Sequence, residues 1–361
     1  MANHEQKSIS KKDMHGFLQH LGLKRALVCP VDTGKVIEFQ KVGIDELDKS
    51  EGIILDAVHL SDEQVSYKSI KEYYFPQTEL MFTFKNDDVT DNKNIPGYAI
   101  FGARPCDLEA LRVMNVVYST GKYADPFFHR RFEANFLIAI GCKNTKPECF
   151  CQEIGVDKEF SDFCDVMLSD NGDSYSVEYL SKKGKQELDG YLGCQGDGSP
   201  DNICRNITIS CQENRPPDNR LALDVDRDDA DYFDIIDWVK VTEACKGCGI
   251  CTYICPTCYC FDFKDVSKKG IAERYKCWDS CMYPKFTLHA SGHNPRENRY
   301  ERYRQRVLHK YKYVPNNFDG FVACTGCGRC VRSCPVGVNI KNILMSVIKN
   351  ISTGAQEETR G

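Results

Sequence analysis

The 361-residue sequence lacks the usual equipment for turning over a substrate. No Gly-x-Gly-x-x-Gly follows a strand pattern, and there is no Gly-x-x-x-x-Gly-Lys-[Ser/Thr]. A dinucleotide or nucleoside triphosphate therefore has no recognisable cradle. No Ser-His-Asp set or paired carboxylates stand out, and Cys-x-x-Cys-His, the mark of covalent haem, is absent. No run approaches the roughly 18 apolar residues of a membrane span. Met1 to Lys12 is polar and charged with no apolar core behind it, so no export signal is expected and the expected compartment is the cytoplasm. The net charge of −5 argues against a nucleic-acid binder.

Cysteine, by contrast, is abundant, with 21 residues. In a chain with no export signal this reads as metal binding rather than as a disulfide framework. Two runs share one spacing: Cys245-x-x-Cys248-x-x-Cys251-x-x-x-Cys255-Pro256 and Cys324-x-x-Cys327-x-x-Cys330-x-x-x-Cys334-Pro335. This is the bacterial ferredoxin pattern given twice. Three thiolates of a run hold three corners of a cubane, and the fourth ligates the other cluster. The spacing thus predicts two [4Fe-4S] clusters, one on Cys245, Cys248, Cys251 and Cys334, the other on Cys324, Cys327, Cys330 and Cys255. Gly247, Gly249, Gly326 and Gly328 lie between ligands, where the chain needs unusual φ angles and close approach. The prolines set the fourth ligands at helix ends. Structural zinc fits eight cysteines in two identical four-cysteine runs poorly.

The pattern of elements predicts an α+β chain. A mixed α/β domain (1–235) precedes a mainly α-helical, two-cluster ferredoxin-like domain (236–350) and a polar tail (351–361). Strands are expected at Lys24 to Pro30, Gly52 to Leu55, Leu80 to Phe84, Tyr98 to Phe101, Phe136 to Gly141 and Ser174 to Leu180. Tyr67 to Tyr74 reads as a short helix or loop and Asp87 to Lys93 as a loop. Tyr98 to Met114 passes from a strand through a turn into an amphipathic helix carrying Leu108, Leu111 and Met114. Cys29 reads as a buried thiol.

Two of these strands lead into cysteine-bearing loops, with Cys106 after one and Cys142, Cys149 and Cys151 after the next. Strand ends are where α/β sheets build sites. Four cysteines suffice for a third cluster, but their spacing also allows structural thiols or a Cys-x-Cys redox pair. Cys194, Cys204 and Cys211 lie in a Gly- and Asp-rich loop and its neighbour, at irregular spacing. Asp224 to Asp237 reads as a solvated acidic linker.

About 70 residues separate the two runs. Cys258, Cys260, Cys277 and Cys281 occur there and read mostly as packed thiols beside the cubanes, with a fourth metal as the other reading. Ile271 to Tyr313 holds ten Lys/Arg against four Asp/Glu. The expectation is a cationic dock for an acidic redox partner, with a solvated helix at Arg299 to Lys312 as the plain alternative. His289, His293 and His309 show no ligand-like pairing.

FGARPCDLEAL (101–111), Cys149-Phe-Cys151, CPTCYCFD (255–262), CWDSC (277–281), ASGHNPR (290–296) and the second ferredoxin run resemble, in the same order, one family of iron–sulfur subunits. It holds the beta subunit of cytoplasmic nickel–iron hydrogenases (sulfhydrogenases) and the A subunit of anaerobic sulfite reductase, and its relatives accompany heterodisulfide-reductase-like complexes. The resemblance spans roughly residues 70–345; Cys194, Cys204, Cys211 and Cys277 fall outside its pattern. It implies a relay that passes electrons from a flavin-containing, NAD(P)H-type subunit to a catalytic redox subunit, and a third [4Fe-4S] cluster on Cys106, Cys142, Cys149 and Cys151. A self-contained reductase of a sulfur compound is the alternative.

Overall fold

A computed structural model describes residues 7–43, 65–93, 95–120, 123–189, 191–192, 223 and 228–358. The expected strand at 52–55 and Cys194, Cys204 and Cys211 lie outside the described residues. The chain forms two compact units: Met1–Tyr74, Asn94–Pro147 and Val156–Arg215 make one, and Phe75–Lys93, Glu148–Gly155 and Pro216–Gly361 the other. The division therefore differs from one boundary at 235/236. Two short N-terminal stretches fold with the C-terminal part.

In chain order the strands are β1 Ser8–Ser10, β2 Ala26–Asp32, β3 Ile37–Val42, β4 Thr78–Lys85, β5 Asp88–Asp91, β6 Tyr98–Ala103, β7 Phe136–Ile140, β8 Val166–Asp170, β9 Ser174–Tyr179, β10 Phe261–Lys268 and β11 Ile271–Trp278. Helices used below are α1 Met14–Lys24, α2 Pro105–Ser119, α3 Pro126–Ala134, α4 Lys182–Leu188, α5 Ile250–Tyr253, α6 Arg299–Leu308, α7 Arg329–Arg332 and α8 Ile340–Glu358.

The first unit is built on a seven-stranded sheet in the order β1-β9-β8-β7-β6-β2-β3. Strands β2, β6, β7 and β8 run parallel at its centre, and β3, β9 and β1 are antiparallel additions. Every residue of β6 (YAIFGA) and β7 (FLIAI) is buried, as expected of parallel strands covered on both faces. Phe17, Leu18 and Leu21 of α1 pack with Leu27, Phe101, Ile138 and Val166 in this core, which also takes in Cys29.

The local chemistry fixes where the helices start. Pro105 takes the first position of α2, where a missing N–H costs nothing, and Arg104 N–H donates to Asp107 Oδ2 across 3.4 Å. Asp125 caps α3 by accepting from the N–H groups of Phe127 and Phe128. Ser181 Oγ accepts from Gly184 N–H, 2.8 Å away, at the head of α4.

The second unit is not purely helical. It carries a four-stranded antiparallel sheet, β10-β11-β4-β5, so the polar stretch expected as a loop at 87–93 contains a strand. The β10–β11 hairpin turns at Lys269 and Gly270, both at positive φ (52° and 76°), which matches the strands' twist. Lys276 of β11 faces Glu79 of β4; the pair is buried, 2.9 Å apart, with the ammonium over the rings of Phe75 and Phe261. A separate core gathers Trp238, Tyr303, Val307, Tyr311, Leu344 and Val347 beside the cysteine runs.

Candidate metal centres

The two ferredoxin runs adopt one conformation twice. Gly247 and Gly249 have φ of 67° and 79°, and Gly326 and Gly328 of 61° and 70°. In each run the second glycine opens a one-turn helix, α5 or α7, that carries the third cysteine and ends just before the fourth. Left-handed backbone at two positions bends each loop around its own centre, which residues with a Cβ adopt only with strain. Backbone N–H groups point at sulfur: Gly247 donates to Cys245 Sγ (3.4 Å) and Val338 to Cys334 Sγ (3.3 Å).

The loops enclose two cavities. Cys245, Cys248, Cys251 and Cys334 line one, with Met282, Tyr303 and Val338. Cys255, Cys324, Cys327 and Cys330 line the other, with Phe150, Arg306 and Lys310. Each cavity thus takes three cysteines from one run and the fourth from the other. Among the described residues, no group of three or more His, Cys, Asp or Glu side chains is arranged to hold a single metal ion. Four thiols spread around a cavity suit a polynuclear cluster, and all-sulfur donor sets select iron–sulfur or zinc chemistry. No described cysteine is disulfide-bonded.

Burial pushes the Cys251 thiol up to about 11 and the Cys327 thiol up to about 12, so unliganded thiolates are disfavoured there. Bound iron would reverse this, because a coordinating thiol is deprotonated outright. Cys255 behaves differently. A hydrogen bond from Cys258, aided by Lys310 and Arg306, holds it well below the ordinary thiol value against the cost of burial.

Helix α6 and the π-helical turn after it, His309–Tyr313, narrow the expected cationic dock to Arg274, Lys285, Arg296, Arg299 and Arg304, the five of its ten Lys/Arg that are not buried. Arg302, Arg306, Lys310 and Lys312 are buried, not displayed. Arg299 donates to Cys245 O, Arg302 Nε to Met282 O (3.0 Å), and Arg306 Nη2 to Cys251 O (3.2 Å). Lys310 Nζ donates to Thr257 Oγ1 (2.8 Å) and Ala323 O (2.9 Å). The solvated-helix alternative holds for the outer face only, where Arg299 is exposed and Arg304 part-exposed. Arg299, Arg302, Arg306 and Lys310 recur at helical spacing, the one sequence signal that they share a face.

The remaining cysteines divide. Cys106 opens α2 after β6 and Cys142 follows β7, so both lie beyond the same ends of adjacent parallel strands of the first unit. Arg104 Nη1 donates to Gly141 O (2.8 Å), joining those two loops. Cys149 and Cys151 belong to the second unit, where the Cys149 thiol donates to Cys327 O (3.5 Å) and Phe150 N–H to Gly326 O (2.8 Å). Cys260 and Cys281 are hydrogen-bonded to each other, and Cys277 sits in β11 opposite Asp262. Tyr259 O–H and His309 Nε2 are hydrogen-bonded at 3.2 Å.

The geometry meets three comparisons. Residues 244–338 match the family model described as a 4Fe-4S dicluster domain, which assigns at least two [4Fe-4S] clusters to this stretch. The chain is 31% identical over 288 residues, 77% of its own length and 82% of the relative's, to sulfhydrogenase 2 subunit beta of Pyrococcus furiosus. No solved structure matches. No helix of the described residues is long and apolar enough to cross a membrane. On the dicluster match, the shared identity and the paired quartets, the chain belongs to the iron–sulfur beta-subunit family of the sulfhydrogenases and is an electron-transfer subunit.

Proposed function

We propose that the chain is the relay of a cytoplasmic multisubunit oxidoreductase, carrying electrons one at a time between a flavin-containing, NAD(P)H-type subunit and a catalytic redox subunit. The observation that carries this reading is the exchange of fourth cysteines. Cys334 joins the Cys245 cavity and Cys255 the Cys324 cavity, so the two centres are built as one interlocked pair. Interlocked centres suit transfer between clusters, whereas substrate chemistry needs an open position. The exposed Cys248 brings the first centre to the protein surface, where a partner's cofactor can approach.

The site residues follow. Cys245, Cys248, Cys251 and Cys334 hold one [4Fe-4S] cluster, and Cys324, Cys327, Cys330 and Cys255 hold the second. When bound, each cluster supplies a one-electron couple; the chain's contribution is to bury it, donate N–H groups to its sulfurs and hold charge beside it. Cys106, Cys142, Cys149 and Cys151 are the ligands of a third [4Fe-4S] cluster in this reading, on the family resemblance. The relative's name, a sulfhydrogenase subunit, supports a multisubunit setting with a hydrogenase-type catalytic partner.

The test is reconstitution. The isolated, iron-loaded chain is expected to accept electrons from dithionite yet neither oxidise NAD(P)H nor reduce sulfite, polysulfide or protons. Mixing with its flavin and catalytic subunits should restore NAD(P)H-linked turnover. Turnover of a sulfur compound by the chain alone, with an artificial donor, would replace this reading with a self-contained reductase.

A further inference from the structure

The basic residues of α6 and the turn beyond it form a ladder whose rungs meet the cysteine loops in order. Arg299 reaches the carbonyl of Cys245, at the first quartet. Arg306 lies between the quartets: it lines the Cys255/Cys324/Cys327/Cys330 cavity while its Nη2 donates to Cys251 of the other. Lys310, one turn further, lines the same cavity. Arg306 and Lys310 are 2% and 3% exposed, so neither charge is hydrated. Arg306 Nε and Nη1 are buried with no hydrogen-bond partner among the described residues.

Two desolvated cations beside one cavity are expensive unless opposite charge lies close. The groups beside Arg306 that become negative once they ligate a cluster are the sulfurs of Cys251 and Cys330, with Cys258 next to them. Those beside Lys310 are the sulfurs of Cys255 and Cys324, again with Cys258 next to them. A thiolate-ligated cluster carries net negative charge, and its reduction adds one more. Fixed positive charge at that distance stabilises the reduced form over the oxidised one.

On the reading that the quartets hold [4Fe-4S] clusters, we infer that Arg306 and Lys310 are positioning residues for electron transfer: buried counter-charges that raise the reduction potential of the Cys255/Cys324/Cys327/Cys330 cluster. They touch no substrate and act through the charge they hold beside the cluster. The same cations explain why an inward-facing stripe of one helix is basic, which packing alone would fill with apolar side chains.

The experiment is a redox titration, followed by EPR, of the anaerobically purified full chain and of Arg306→Gln, Arg306→Lys and Lys310→Gln, each first assayed for iron and labile sulfide. The expected result is that Arg306→Gln and Lys310→Gln move one cluster's equilibrium at least tenfold toward the oxidised form, 59 mV for a one-electron couple. Arg306→Lys should restore most of the shift. Unchanged midpoints in iron-loaded variants overturn the inference and leave the cluster assignment standing. Equal shifts in Arg306→Gln and Arg306→Lys also overturn it, by making shape rather than charge the cause. If Arg306→Gln loses its iron, iron retained by Arg306→Lys supports the counter-charge and iron lost from both overturns it. Wild-type chain without iron would instead refute the underlying cluster reading.

Discussion

Gly326 lies against the backbone of Cys151: a Cβ built on the glycine would stand 2.5 Å from the Cys151 nitrogen. Backbone cannot move aside as a flexible side chain can, and Gly326 is also at φ +61°. Gly326→Ala is therefore expected to lower stability by a few kcal/mol and to reduce iron loading. Gly270→Ala is the control, with φ +76° but no atom within 4 Å of its Cβ. It should cost only about 1–2 kcal/mol, the left-handed penalty. Thermal unfolding and iron content of the two variants check this; equal losses would mean that the contact with Cys151 contributes nothing.

The cysteine assignment makes a sharper demand. Cys255→Ser should remove a ligand from the Cys324 cavity, change that cluster's EPR signal and lower iron by up to about four atoms per chain. Cys258, only three residues on and hydrogen-bonded to Cys255, lines neither cavity. Cys258→Ser should keep its iron. A larger loss from Cys258→Ser than from Cys255→Ser would show the fourth ligand to be misassigned.

Much of this site was legible because ferredoxin runs are local. Ligand spacing, intervening glycines and the following proline sit within twelve residues, and the exchange of Cys255 and Cys334 follows from the ferredoxin run, whose fourth cysteine ligates the other cluster. The parallel strands 98–103 and 136–140 were equally readable, since their apolar runs require burial on both faces. What stayed hidden is non-local. The apolar pattern of Leu80 to Phe84 says strand, but not that its partner is β11, nearly two hundred residues away. The β10 sequence is charged and exposed along most of its length, so it carries no buried face to betray it. The inner face of α6 is hidden in the sequence because charge normally marks the solvent side of a helix, whereas Arg302 and Arg306 are buried.

The Lys276–Glu79 pair tests the sheet of the second unit. Both partners are nearly fully buried and face each other across β11 and β4. Glu79→Ala strands the ammonium and should cost about 3–5 kcal/mol in denaturant unfolding. A Glu79→Leu, Lys276→Met double variant should recover most of that loss, because two apolar groups remove the desolvation cost with the attraction. A double variant as unstable as the single one would mean that the pair's packing, not its charge, is what the sheet needs.

His309 gives a pH dependence. Burial, with Lys310 and Arg296 nearby, lowers it from 6.5 to about 4. The unfolded chain takes up a proton near 6.5 and the folded chain only near 4, so below 6.5 the unfolded state binds more protons. Stability is unaffected above pH 6.5 and falls as pH drops from 6.5 to 4, by up to about 3 kcal/mol at 1.36 per unit. His309→Gln should remove that part of the slope while keeping a partner for the Tyr259 hydroxyl. Identical slopes between pH 4 and 6.5 would place His309 outside the acid response.

The most direct measurement is iron and acid-labile sulfide per chain after anaerobic purification, with Cys106→Ser and Cys204→Ser alongside. Three cubanes predict about twelve irons in the wild type, lowered in Cys106→Ser and unchanged in Cys204→Ser. Eight irons in the wild type would delete the third cluster and leave the interlocked pair. A colourless, iron-free chain that is folded and still passes electrons with its partners would contradict the account.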